Sequence, residues 1–387
     1  MGSSLKSRLM AINAQNHQPT RQAAQDQGCA GPMLREHRMA ADPRLFHLSR
    51  LGLERMGFEC AGFDVRRALF LDTETTGLSG GAGTVAFLVG VGWVQREDFV
   101  VRQYLMPDYG AEPMMLSQLG GVFERFDWVV TFNGKSFDMP LLESRFTLNR
   151  MRPLYKEMAQ MDLLHPARRA WKMRLKRCNL GTLEARILNH EREHDLPGSE
   201  VPQRYFDYLR TRDFTLLEDI LEHNRQDIVS LGALLCELCA VYDAPEEQQS
   251  ASDIYSLGRV LERRGEGEAA QRCYRQAAKP RPILSLQALC DERGAREANW
   301  ALSMMLKRSG EIERAEQIWI QMCERGQMGV KPYVERLKLL EHRHRRYQEA
   351  ISLCDQALQR FRDPEEQDQL TIRRQRLLKK YNRSMEG

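Results

Sequence analysis

The chain has 387 residues, enough for two or three domains with cores of their own, and no window approaches the length of a membrane span. Charged residues make up 28% of it and the net charge is +4, a mildly basic balance that by itself implies no nucleic acid. "MGSSLKSRLM" lacks the apolar core of a secretory signal, Lys6 stands where a myristoylation motif wants Ser or Thr, and nine scattered cysteines read as buried thiols of a reducing cytoplasm.

Residues 1–45 are polar and read as a loosely ordered tail. From about residue 66, "RALFLD" (67–72), "TVAFLVGVGWV" (84–94) and "DFVVRQYLM" (98–106) predict three strands. Their short connections favour an antiparallel meander. "EPMMLSQLGGVFERF" reads as a helix, "DWVVTF" (127–132) as a buried strand, and "MPLLESRFTL" (139–148) as a helix opened by Pro140. A short apolar stretch around Met161 and further helices lead to about Tyr242. The predicted fold is α/β: a mixed sheet flanked by helices over 46–242. "YDAPEEQQSASD" then reads as a linker (243–253), and 254–387 as an all-α array of helical hairpins. Ala270, Ala315 and Ala350 mark similar hairpins spaced 45 and 35 apart, with an insertion around "PRPILSLQALCDERG". This third of the chain resembles tetratricopeptide repeats and suggests a protein partner; a plain helical bundle stays open beside it.

Three carboxylate-bearing segments carry the chemistry. In "LFLDTETTGLSGG", Asp72 and Glu74 are i and i+2 and share one side of a strand. Two such carboxylates repel unless solvated or bridged by a hard cation, and the tripeptide leaves both open. In "VVTFNGKSFDMPLL", a strand runs into the Asn133-Gly134 turn and Asp138 opens a helix, as a cap or a ligand, with Phe137 as an apolar anchor. In "EDILEHNRQDIVSLGALLCEL", His223 and Asp227 stand one turn apart beside an apolar stripe. Asp162 reads as a supporting residue rather than a ligand. Cys236 and Cys239 sit among leucines and read as core packing, not a zinc site.

Taken together, these segments resemble the DEDD exonucleases of the ribonuclease H-like superfamily, and within them a YprB-like bacterial group. The likeness covers about residues 66–242. It places the four acidic positions of that family on Asp72, Glu74, Asp138 and Asp227, holding two Mg²⁺ or Mn²⁺ ions. His223 falls four residues before the last Asp, where one branch has Tyr; the other branch has His five before. The resemblance thus implies metal-dependent hydrolysis of phosphodiester bonds in DNA or RNA, 3′-to-5′ from a single-stranded end, with His223 accepting or orienting a proton.

"HPARRAWKMRLKRC" (165–178) interleaves basic residues with Trp171, as a single-strand channel does, so Arg168, Arg169 and Lys172 are expected to hold phosphates; a solvated helix face is the plainer alternative. "GLSGGAG" lacks the ending of a phosphate loop and reads as a turn, with Thr75 and Gly77 lining the substrate cleft and Asn133 placed with them. The competing expectation is a weak or inactive nuclease-like scaffold whose repeats bind a protein.

Overall fold

β-branched and aromatic runs punctuated by glycine dictate a sheet in the first half of the chain, and a 3.6-residue apolar period dictates helices in the second. The computed structural model describes residues 31–77, 83–152, 157–192, 196–279 and 287–385. The strands are β1 (Met33–Ala40), β2 (Ala68–Thr75), β3 (Ala86–Gln95), β4 (Asp98–Leu105), β5 (Trp128–Thr131) and β6 (Ala159–Asp162). They form one mixed sheet in the order β1-β4-β3-β2-β5-β6. The meander β2-β3-β4 is antiparallel, and β5 and β6 add parallel to β2.

Helices α1 (Arg50–Met56), α2 (Glu112–Phe123), α3 (Asp138–Leu148), α4 (Leu164–Leu175), α5 (Leu180–Arg186), α6 (Val201–Thr211) and α7 (Thr215–Asp243) accompany the sheet. Alternation along β2 sorts its side chains between two cores. Leu69 and Leu71 join Leu119, Phe123, Phe146 and Tyr205 of α2, α3 and α6. Phe70 joins Leu53, Trp171, Ile228 and Leu235 of α1, α4 and α7. Each such side chain, fully buried, contributes about 2 kcal/mol. By the same parity Asp72 and Glu74 lie on the side of Phe70, facing α7.

The Gly-x-Gly of β3 has a packing cause. A Cβ on Gly90 would stand 2.2 Å from Asn224 Oδ1, and one on Gly92 would stand 2.5 Å from Ile228 Cγ2. Two bare positions on one face of β3 let α7 lie against the sheet.

Two boundaries differ from the sequence reading. Within the supposed tail, Met33–Ala40 is an edge strand, paired antiparallel with β4 from Met33↔Leu105 to Ala40↔Asp98. An edge strand needs no apolar face, and charge on it discourages pairing with other chains, so composition concealed it. Arg35 donates to both carboxylate oxygens of Glu218 at 2.7 and 2.6 Å, and Arg102 donates to Glu36 at 2.9 Å. The supposed linker is also structured: Pro245–Glu247 forms a short turn and a helix starts at Ala251.

The remaining helices are α8 (Ala251–Arg263), α9 (Gly267–Ala277), α10 (Gln287–Arg308), α11 (Ile312–Arg325), α12 (Lys331–His342), α13 (Tyr347–Arg360) and α14 (Pro364–Met385). Ala270, Ala315 and Ala350 fall on α9, α11 and α13 and are fully buried, where a small side chain permits close helix approach. Part of the expected insertion, residues 280–286, lies outside the described residues. Leu257 and Val260 of α8 pack into the core under α4 and α7. Arg174 of α4 pairs with buried Asp253 of α8 at 2.8 Å. Arg174→Ala is expected to cost about 3–5 kcal/mol, because it strands a buried charge. Thermal melts of Arg174→Ala and of the Arg174→Ala/Asp253→Ala pair check this: the double variant should melt above the single one. Among the described residues, no helix is long and apolar enough to cross a membrane.

Candidate active site

Three elements bring the predicted acids together. Asp72 and Glu74 end β2, where the register with β3 shifts between Glu74 and Thr75. Asp138 opens α3 just beyond the end of β5, the strand parallel to β2. Asp227 projects from α7 across the same face of the sheet. Carboxylates thus gather at the C-terminal ends of neighbouring parallel strands, where α/β sheets leave a crevice.

The electrostatics record the convergence. Burial, then the charges of Asp227, Asp138 and Glu74, push the Asp72 carboxyl well above its ordinary range, against donation from Asn224. Burial and the charges of Asp227 and Asp138 push Glu74 up to about 8, opposed by Arg192. Burial raises Asp138 to about 6, opposed by a hydrogen bond from the Thr73 hydroxyl at 2.5 Å. Asp227 is also raised by burial, with His223 and Arg192 opposing. Ligand atoms of Glu74, His223 and Asp227 lie within 4.8 Å of one another. His223 Nε2 stands 3.5 Å from Asp227 and 4.0 Å from Glu74.

Arg192, which the sequence reading does not single out, supplies positive charge to this pocket. It donates to both oxygens of fully buried Glu184 at 2.6 Å, and also to Asp227. Its third contact reaches His223 Nδ1 at 2.8 Å. A guanidinium has no acceptor, so Nδ1 accepts. A neutral His223 therefore carries its proton on Nε2, toward Glu74 and Asp227. Arg192 sits in the polar run "HEREH", which has no periodicity to mark it. The signal available was arithmetic: four acids gathered at one place demand a cation.

Asn224 was missed for a different reason, since it sits between His223 and Asp227 with no motif of its own. It is fully buried. Its Nδ2 donates to Asp72 Oδ2 at 2.9 Å, while Gln103 Nε2 donates to its Oδ1 at 3.0 Å and to the Leu221 carbonyl at 2.7 Å. This chain fixes the amide's orientation and hence the Asp72 rotamer. Asp162 serves the loop before Asp138: its carboxylate accepts from the backbone N–H of Asn133 at 2.8 Å, Lys135 at 3.2 Å and Leu164 at 3.0 Å. Asn133 itself takes a left-handed φ of 68°, as an Asn-Gly turn allows.

The expected substrate contacts separate. Arg168 and Lys172, one turn apart on α4, line a groove of about 560 Å³ together with Asn133, Lys176 and Arg177. Arg169 points elsewhere and donates to the Met56 carbonyl, tying α4 to α1. Trp171 is 2% exposed and packs in the core, so it offers no ring to a base. Helical geometry sets both outcomes, because positions 167, 170 and 171 form the apolar face and 168 and 172 the opposite one. Phe137 is 53% exposed beside Asp138 rather than anchored in the core; the helix start is held by the Gly134 carbonyl accepting from Met139 N–H at 2.9 Å. The Thr75 hydroxyl donates to the Gly77 carbonyl at 2.8 Å, closing the start of the glycine-rich segment. Residues 78–82 of that segment lie outside the described residues. Cys236 and Cys239 are buried in the core, and burial pushes their thiols up to about 12 and about 11.

A family model described as RNase_H superfamily matches residues 69–239, from the start of β2 to near the end of α7. The chain is 31% identical over 330 residues to the uncharacterized protein YprB of Bacillus subtilis (strain 168), an alignment covering 83% of this chain and 76% of that protein. That alignment is longer than the family match, so the likeness extends beyond the sheet domain. Residues 69–239, with their mixed sheet and their acids from β2 to α7, thus form a ribonuclease H superfamily domain, and the chain belongs to the family of YprB.

Proposed function

We propose that the protein is a metal-dependent nuclease that hydrolyses phosphodiester bonds of nucleic acid, acting 3′-to-5′ from a single-stranded end. Membership of the ribonuclease H superfamily supports hydrolysis of nucleic acid in general. What supports the finer reading is the meeting of Asp72, Glu74, Asp138 and Asp227 in one half-buried pocket, each pushed above its ordinary range. Four hard-oxygen donors with one guanidinium among them fit a divalent cation, and these four would hold two Mg²⁺ or Mn²⁺ ions. Bound there, such ions would supply electrophilic stabilisation of the charge that develops around phosphorus.

The remaining roles belong to the chain's own groups. Asn224 holds the Asp72 carboxylate in one orientation. Arg192 fixes the His223 tautomer, which favours His223 as an orienting donor over a proton acceptor at Nε2. Arg168 and Lys172 bind backbone phosphates in the groove beside Asn133, as point charges indifferent to sequence. Among the described residues, seven cysteines are buried and free of disulfides, which supports a reducing cytoplasm as the working compartment. The C-terminal hairpins are read as tetratricopeptide-like repeats.

The test is a panel of end-labelled single- and double-stranded DNA and RNA, incubated with Mn²⁺ or with EDTA. A ladder shortening from the 3′ end in Mn²⁺ is expected; a discrete internal fragment would replace the exonuclease reading with an endonuclease one, and no metal-dependent product would overturn both. In the same assay Arg168→Ala/Lys172→Ala should weaken substrate binding about tenfold and flatten its salt dependence. Arg169→Ala should lower thermal stability and leave that salt dependence unchanged.

A further inference from the structure

A groove of about 570 Å³ runs between α10, α12 and α14 and shares no lining residue with the carboxylate pocket or its neighbouring groove. Its walls carry Lys307, Lys338, Arg343, Arg373 and Arg376 against one carboxylate, Glu335. Beneath it, Glu341 is 1% exposed and pairs with Arg373 at 3.2 Å, Arg376 at 2.7 Å and Lys380 at 2.8 Å. Burial disfavours its charge, but donation from Arg376 and Lys380 prevails and holds Glu341 down to about 2. An ionised Glu341 therefore fixes three cations of α14 in place. Glu335 does the same for Lys307 and for Lys338, the latter at 2.6 Å. Among the described residues, Arg343 pairs at the exposed rim, with Glu313 at 2.8 Å.

Six cations thus face three carboxylates, and the excess is positive. Arg373, Arg376 and Lys380 recur at helical spacing along about 10 Å of α14. That length exceeds the roughly 3.4 Å per charge of one strand of a duplex. The one apolar side chain in the lining, Leu339, is 9% exposed, and no Phe, Tyr or Trp lines the groove, whose single ring is the imidazole of His342. A peptide would find no apolar pocket for its side chains there, and a base only the imidazole of His342; a chain of phosphates needs only the cations.

We propose that this groove binds the phosphodiester backbone of nucleic acid, as a second contact that holds the substrate away from the site of cleavage. It rests on the reading of nucleic acid as the substrate. Lys338→Ala/Arg343→Ala tests it, because Glu341 keeps its three cations and Glu335 keeps Lys307. Anisotropy of a fluorescein-labelled 40-nucleotide single strand with the full chain in EDTA gives affinity and salt slope. Cleavage of a 6-nucleotide strand in Mn²⁺ reports the carboxylate pocket separately.

The double variant should bind the 40-mer about tenfold more weakly and cleave the 6-mer at the parent rate. Its salt slope should be shallower by about 0.7 for each phosphate left without its cation. Unchanged affinity and slope would overturn the proposal. Unchanged 40-mer binding with loss of binding to a labelled deca-glutamate peptide would overturn it in favour of an acidic protein ligand. If the parent chain cleaves neither strand yet the double variant still loses 40-mer affinity, the groove stands and the nuclease reading falls.

Discussion

Asp72→Asn is expected to lower the rate of oligonucleotide hydrolysis in Mn²⁺ by about 10³-fold or more. The loss of one of four acids from the pocket removes several kcal/mol of charge stabilisation, and each 1.36 kcal/mol is a factor of ten. The fold should survive, since an amide at position 72 still offers an oxygen to Asn224 Nδ2. Stability should move the other way. Asp72 is pushed upward by burial and by three neighbouring acids, so neutralising it relieves repulsion in metal-free protein. A gain of about 1–2 kcal/mol in EDTA is the expected scale, a trade of stability against activity seen where like charges are held together for chemistry. Two measurements decide it: turnover in Mn²⁺ and the melting temperature in EDTA. Retained turnover in a preparation free of contaminating nuclease would remove Asp72 from the site, and an unchanged melting temperature would mean that the four acids do not strain the folded state.

In the metal-free protein, thermal stability is expected to fall as pH rises from about 5 to 8. Glu74 is pushed up to about 8 and Asp138 to about 6, against ordinary values near 4. The folded protein therefore holds protons that the unfolded chain has already released, and stability declines with pH across that window. Carboxylates with the opposite shift, such as Glu341 at about 2, titrate below the window and leave its slope alone. Mg²⁺ or Mn²⁺ should abolish the decline, since a cation takes the place of the protons. Melts of the parent and of Glu74→Gln at pH 5, 6, 7 and 8, with EDTA or Mn²⁺, separate this from background titration. The parent in EDTA should lose more than the variant. Equal slopes, or a parent that gains stability toward pH 8, would contradict the arrangement of charges described.

The fold was legible where local pattern and burial agree. β2 to β5 each combine a strand period with a turn signal, so their order and the helices between them could be read directly. β1 was not legible, because an edge strand is held by backbone pairing with β4 and its middle residues, Arg35 to Arg38, are all charged or polar. The acids were legible as three separate anomalies of spacing, and a resemblance was needed to join them. Arg192 and Asn224 were beyond reach for a physical reason. Each acts through a contact made across the fold, to α7 for Arg192 and to β2 for Asn224, and neither occupies a position whose residue type is odd by itself. Arg169 and Trp171 show the converse error: composition marks a helix as basic and aromatic, but only its orientation tells which of those residues meet solvent.

The pairing of Arg174 with Asp253 bears on how this protein can be taken apart. Helix α4 presents Arg168 and Lys172 on one side and is braced by α8 on the other, with Leu257 and Val260 seated in the sheet domain's own core. A fragment ending at Asp243 would lose that brace and lay bare an apolar seam under the very helix that carries Arg168 and Lys172. The helical third is thus a buttress for the sheet domain as well as an appendage, and excising one from the other alters both.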